Sequence, residues 1–130
     1  ISCYRKKVFE SVKFDTVNDF FMLEDIDFST RAADFFGNEY FFISTCLCLE
    51  HNMSPINRLK LYARWLRKLR ENVLFYKKHR LKLFSFINFL WLLIGLLGES
   101  IVMSILSRSF GPLFGFLSGL IAGIRQKVVK

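Results

Sequence analysis

The stretch Leu23-Glu24-Asp25-Ile26-Asp27-Phe28-Ser29-Thr30-Arg31-Ala32 holds three carboxylates and one arginine between apolar residues, and chemistry is expected there. Three acids within four positions repel one another, so a fold keeps them charged only where a cation, a proton or a substrate hydroxyl shares their field. Asp27 and Arg31 stand at i and i+4, which on a helix makes them a local ion pair. Glu24 and Asp25 are then left at the helix start, where the positive end of the helix dipole favours carboxylates. The alternative is an acidic first turn that only caps a helix. Asp25-Ile26-Asp27 is also formally an Asp-x-Asp, a pattern that holds Mg2+ or Mn2+ on a diphosphate. That motif belongs at the end of a hydrophobic strand, whereas here a loop precedes and a helix follows. The acids therefore read as a base region.

Several elements must position this stretch. Ile1-Ser2-Cys3-Tyr4 reads as the end of a strand, followed by a basic turn and a short helix, Lys7 to Lys13, with Val8, Phe9 and Val12 on one face. The segment from Thr16 to Phe21 reads as a loop with anchoring aromatic residues. A helix is expected over Glu24 to Phe36, stopped by Gly37-Asn38. Glu39 to Leu49 is β-branched, aromatic and almost uncharged, which fits a strand buried on both faces. His51 follows at the strand's polar exit, where ligand sites of open α/β sheets tend to lie. A lone histidine there serves either as a metal ligand or as an ordinary surface group. Cys46-Leu47-Cys48 reads as small apolar residues of a buried strand and not as a soft-metal site. The three cysteines lack disulfide-framework spacing, which suits a reducing compartment.

The 130 residues suffice for one domain with a real core. Charge divides the chain: Ile1 to Asn57 carries five Lys/Arg against nine Asp/Glu, and Arg58 to Lys130 carries fourteen against two. Ser54-Pro55 opens a basic amphipathic helix to about Lys78, with Ile56, Leu59, Ala63, Leu66 and Val73 in one stripe. Leu83 to Leu106 is 24 residues whose only charge is Glu99, long enough to span a bilayer core. Phe110 to Ile124 is a second apolar run, with Gly111, Gly115, Ser118, Gly119 and Gly123 spaced so that two helices can approach closely. Cations flank this pair, so a hairpin would keep both ends on the cytoplasmic side, and helices lying in the interface would show the same charges. Because the cations border long apolar runs, they suit lipid headgroups better than nucleic acid.

The order of these features resembles the C-terminal half of a family 2 glycosyltransferase. The resemblance lies in Ser2-Cys3-Tyr4-Arg5-Lys6-Lys7-Val8-Phe9-Glu10, in Phe14-Asp15, and in the Glu-Asp stretch with its following Asp-Phe-Ser and Arg-Ala. It continues through Gly37, His51 and Arg70-Glu71-Asn72-Val73-Leu74-Phe75-Tyr76-Lys77-Lys78, where Glu71 splits the usual arginine-asparagine pair. It covers most of residues 1 to 82, and the tail fits in character.

The resemblance implies an α/β fragment, the C-terminal part of a GT-A-like catalytic domain over 1–54, then a basic amphipathic helix over 55–82 and a membrane-associated helical hairpin over 83–130. It implies that Asp25 is the general base taking the proton from an acceptor hydroxyl as that hydroxyl attacks a nucleotide-linked sugar with inversion. Glu24 would shape that site, and His51 would complete the coordination of a divalent metal, Mg2+ or Mn2+, on the diphosphate. The implied partners are a nucleotide-sugar donor, a saccharide or lipid-linked acceptor and a membrane, with no nucleic acid. The implied location is the inner face of the cytoplasmic membrane, in polysaccharide or glycolipid synthesis. The chain departs from the family in lacking the nucleotide-binding half, so a truncated and by itself inactive piece is expected. The rival class is a small membrane-associated protein without enzymatic activity.

Overall fold

The computed structural model describes residues 4–18, 23–37, 39, 59–79 and 83–129. These residues form five helices: α1 (Lys6–Ser11), α2 (Glu24–Phe36), α3 (Leu61–His79), α4 (Leu83–Leu106) and α5 (Gly111–Arg125). They divide between two compact units, Ile1–Arg58 and Leu59–Lys130.

In the first unit, α1 and α2 share an aromatic core. Phe28 is fully buried, with Phe14 stacked on it at 4.5 Å between ring centroids, Phe9 stacked at 5.2 Å and Tyr4 edge-on at 4.8 Å. Val12 and Ala32 complete the buried set, with Val8 and Phe36 packed beside it. Phe28, Ala32 and Phe36 lie four apart, so they share one face of α2, the face that the apolar spacing requires. Between the helices, the Asp15 carboxylate accepts the Val17 and Asn18 backbone N–H groups at 2.9 and 3.0 Å, closing a turn over residues 15–18. Gly37 ends α2 with φ of +99°, and its N–H donates to the Ala33 carbonyl at 2.9 Å.

The α/β expectation is corrected here. Every regular element among the described residues is a helix, with no strand and no sheet. Tyr4, expected in a strand end, is irregular chain whose ring joins the aromatic core instead. A GT-A-like domain is built on a sheet, so that part of the fold assignment falls with it. The strand expected over Glu39 to Leu49 and the helix start at Ser54-Pro55 lie outside the described residues. Leu59 and Lys60 are non-helical and α3 begins at Leu61, several residues after the expected proline start.

In the second unit, the glycines of α5 meet α3. A Cβ added at Gly115 would stand 2.5 Å from the Tyr62 carbonyl oxygen, one at Gly119 would stand 2.8 Å from the Leu69 Cβ and overlap the Leu66 carbonyl oxygen, and one at Gly123 would stand 2.7 Å from the Val73 Cβ. The contacts advance in the same direction along both helices, so α3 and α5 run parallel with their backbones in near contact. Spacing of four places these glycines along one ridge of α5, and the missing side chains make that ridge a groove for α3. The sequence announced a close helix pair; the partner is the basic helix and not the neighbouring apolar one.

The arrangement leaves α4 antiparallel to α3. Lys68 pairs with Glu99 at 2.7 Å, and Tyr76 stacks on Phe89 at 4.2 Å, so residue numbers rise on one helix as they fall on the other. Leu96, near the middle of α4, is buried with Trp65, Leu69 and Phe116. Most of α4 otherwise faces outward: Trp91, Ile94 and Ile105 are 69%, 60% and 70% exposed. Phe86–Leu106 is long and apolar enough to cross a membrane.

One contact was not foreseeable from α3 alone. The Lys77 ammonium donates to the carbonyls of Gly123, Ile124 and Gln126 at 3.0, 2.9 and 2.6 Å, covering the C-terminal end of α5. Parallel packing brings this lysine, near the end of α3, to the negative end of its neighbour's dipole. Lys77→Met is expected to destabilise the second unit by about 1–2 kcal/mol, read from urea unfolding in detergent.

Candidate functional site

The acidic first turn of α2 sorts its three carboxylates by burial. Asp27 is fully buried and accepts from Arg31 Nε at 2.8 Å, the i, i+4 pair expected from the spacing. Arg31 Nη1 also donates to the Lys13 carbonyl at 2.6 Å, which ties α2 to the chain leaving α1. Glu24 and Asp25 are exposed, adjacent in the first turn, and among the described residues neither pairs with a cation. The electrostatic support for Asp25 and Glu24 is then the exposed amide end of α2.

The backbone beneath Asp25 is held in place. The Ser29 hydroxyl donates to the Asp25 carbonyl at 2.5 Å, and Tyr4 Oη lies 2.5 Å from the same hydroxyl oxygen. Ser29 has one proton, so with that proton on the Asp25 carbonyl the Tyr4 hydroxyl is the donor in the second bond. Thr30 repeats the motif one residue on, donating to the Ile26 carbonyl at 2.7 Å. These back-bonds are local alternatives to solvent for hydroxyls on a helix. Here one of them links the aromatic core, through Tyr4, to the turn that presents Asp25.

Compared with family models, curated proteins and solved structures, this chain matches none. The chemistry of the turn must therefore be argued from its own geometry. An exposed carboxylate on a fixed backbone can accept a proton from a hydroxyl laid against it, and its efficiency rises as the incoming group displaces water. Asp25 and Glu24 meet the geometric part of that requirement, and Asp27 does not, because Arg31 and the core enclose it.

A divalent metal does not fit the residues described. No group of three His, Cys, Asp or Glu side chains stands close enough to hold one among the described residues. Of the three acids in the turn, one faces Arg31 in the interior and two face outward, so they do not converge. His51, the expected metal ligand, lies outside the described residues, as do Cys46 and Cys48.

In the second unit both acids face cations. Glu71 is fully buried, with Arg67 Nε at 3.9 Å from its carboxylate, and Glu99 is held by Lys68, which also lies 4.7 Å from the Trp65 ring centroid. The sequence marked Glu99 as a charge that needs protein, water or headgroups around it, and Lys68 supplies the protein partner while the carboxylate stays half exposed. The burial of Glu71 went unmarked because its neighbours in sequence are mostly cationic or polar. The available signal was its spacing of four from Arg67.

Proposed function

We propose that this chain supplies the acceptor side of a sugar transfer from a nucleotide-linked donor, with Asp25 as the base and Glu24 as its charged neighbour. The observation that carries this reading is the sorting of the acidic turn. Asp27 is committed to Arg31, whereas Asp25 stays outward on a backbone held by Ser29. The resemblance of the Glu-Asp stretch to family 2 glycosyltransferases supplies the reaction class: an acceptor hydroxyl loses its proton to Asp25 as its oxygen bonds the anomeric carbon and the nucleoside diphosphate departs. The acceptor is a saccharide or a lipid-linked saccharide, because the same chain carries an apolar unit suited to a membrane. The location proposed is the inner face of the cytoplasmic membrane, in polysaccharide or glycolipid synthesis.

Asp25→Asn, assayed for sugar transfer in the presence of a nucleotide-sugar donor and in whatever longer protein carries this chain, is expected to lower the rate at least about a hundredfold. Stability should change by less than about 1 kcal/mol, since the side chain is exposed and contributes only through the helix end. Transfer at the parental rate would remove Asp25 from the chemistry. The outward apolar surface of α4 favours a second reading, a membrane-associated protein without enzymatic activity. Under that reading no sugar transfer is detected with or without Asp25→Asn.

A further inference from the structure

We infer that residues 59–79 and 83–129 lie in the headgroup layer of an anionic bilayer, with the outer faces of α4 and α5 against the acyl chains, and do not cross it. This extends the membrane placement and is independent of the role of Asp25. Length and apolarity alone let Phe86–Leu106 span, but the register of α3 argues against it. Leu96, near the centre of that run, packs against Trp65 and Leu69 of α3. Lys68 meets Glu99 and Tyr76 meets Phe89, so the stretch of α3 from Lys68 to Tyr76 flanks the middle of the run. A spanning α4 would therefore carry Arg67, Lys68, Arg70 and Glu71 to hydrocarbon depth, where each charge is strongly disfavoured. The glycine contacts prevent α3 from leaving α5 without dismantling the unit. At about 1.5 Å per residue, the 15 residues of α5 are also about 8 Å short of the bilayer core.

Charge selects the occupant of the apolar faces. From Arg58 onward the chain has fourteen Lys/Arg against two Asp/Glu, and both acids already face cations of α3. Lys60, Arg64, Arg125 and Lys127 are exposed. Apolar side chains face outward from α4 at Trp91, Ile94 and Ile105 and from α5 at Phe114, Ile121 and Ile124. A greasy surface bordered by excess cations matches an anionic lipid surface, the chemistry of a monotopic amphipathic unit.

The test uses the full chain with vesicles of phosphatidylglycerol and phosphatidylcholine, and with phosphatidylcholine alone. In a Trp91→Phe background, where Trp65 is a constant buried reporter, Ile87→Trp, Ile94→Trp, Ile101→Trp and Ile105→Trp are made singly. Each is then quenched by lipids brominated near the headgroup or near the chain end. The expected result is stronger quenching by the shallow bromines at all four positions. Deep quenching that peaks at Ile94→Trp and falls toward Ile87→Trp and Ile105→Trp is the profile of a span and would overturn the inference. So would failure to bind the mixed vesicles, including the case in which a second copy of the chain covers α4 instead. Neutralising Lys60, Arg64, Arg125 and Lys127 together to Gln is expected to lower partition onto the mixed vesicles at least about tenfold, with little change on phosphatidylcholine alone. Equal partition of variant and parent would overturn the assignment of an anionic surface.

Discussion

Gly119→Val is expected to destabilise the second unit by about 3 kcal/mol or more, the upper part of the range for overpacking, because the added atoms meet backbone and not a movable side chain. A Cβ at this position overlaps the Leu66 carbonyl oxygen and lies 2.8 Å from the Leu69 Cβ. Relief requires α5 to move away from α3 along their whole contact, which would also loosen Phe116 from Trp65 and Leu69. Gly98 provides the contrast: it lies in α4 and nothing stands within 4 Å of an added Cβ. Gly98→Ala should therefore stabilise the helix by up to about 1 kcal/mol, through the lower entropy cost of alanine. Urea unfolding in detergent, followed by Trp65 fluorescence, reads both. Equal effects of the two substitutions would mean that α5 does not seat on α3 as described.

These two glycines show what a sequence can convey about packing. The four-residue spacing in α5 states that something approaches closely, but it carries no information about which helix does so. The choice of α3 depends on long-range partners such as Lys77 and the Gly123 carbonyl, 46 residues apart. Local features were legible for the opposite reason. The bounds of α2 follow from an acidic first turn and a glycine stop, and the Asp27–Arg31 pair from one helical turn of separation. The bounds of α4 likewise follow from an apolar run that continues through its one interruption at Gly98-Glu99-Ser100.

Among the described residues no sheet forms, and its support there was indirect. Within residues 4–37 the apolar positions recur at helical spacing, as in Phe28, Ala32 and Phe36, and nothing there alternates as a strand would. The α/β expectation came from Ile1-Ser2-Cys3-Tyr4 read as a strand end, from the apolar run after Gly37 and from likeness to a sheet-containing family. The acidic turn stood out as a candidate in its residue types, and only the structure separates its members by burial. Asp25 and Asp27 are two residues apart and chemically identical, yet one lies on the outer face of α2 and the other on the face that packs.

That separation makes Arg31→Leu the sharpest probe of the first unit. Asp27 is fully buried, and its carboxylate lies 2.8 Å from Arg31 Nε. Removing the guanidinium while the carboxylate stays inside takes away its cation, and the expected loss is about 3–5 kcal/mol. The tie from Arg31 Nη1 to the Lys13 carbonyl is lost with it, so α1 and α2 should loosen together. Replacing both partners, Asp27→Leu with Arg31→Leu, should recover a substantial part of the loss, because no uncompensated charge is then buried. Unfolding of the single and double variants, followed by circular dichroism, measures the coupling. A double variant no more stable than Arg31→Leu alone would assign the loss to the Lys13 tie instead of the buried charge. The comparison also guards the test of the proposed function: if the chain takes part in sugar transfer, Arg31→Leu would lower the rate by unsettling α2, whereas Asp25→Asn would lower it with little change in stability. Only the second behaviour marks a base.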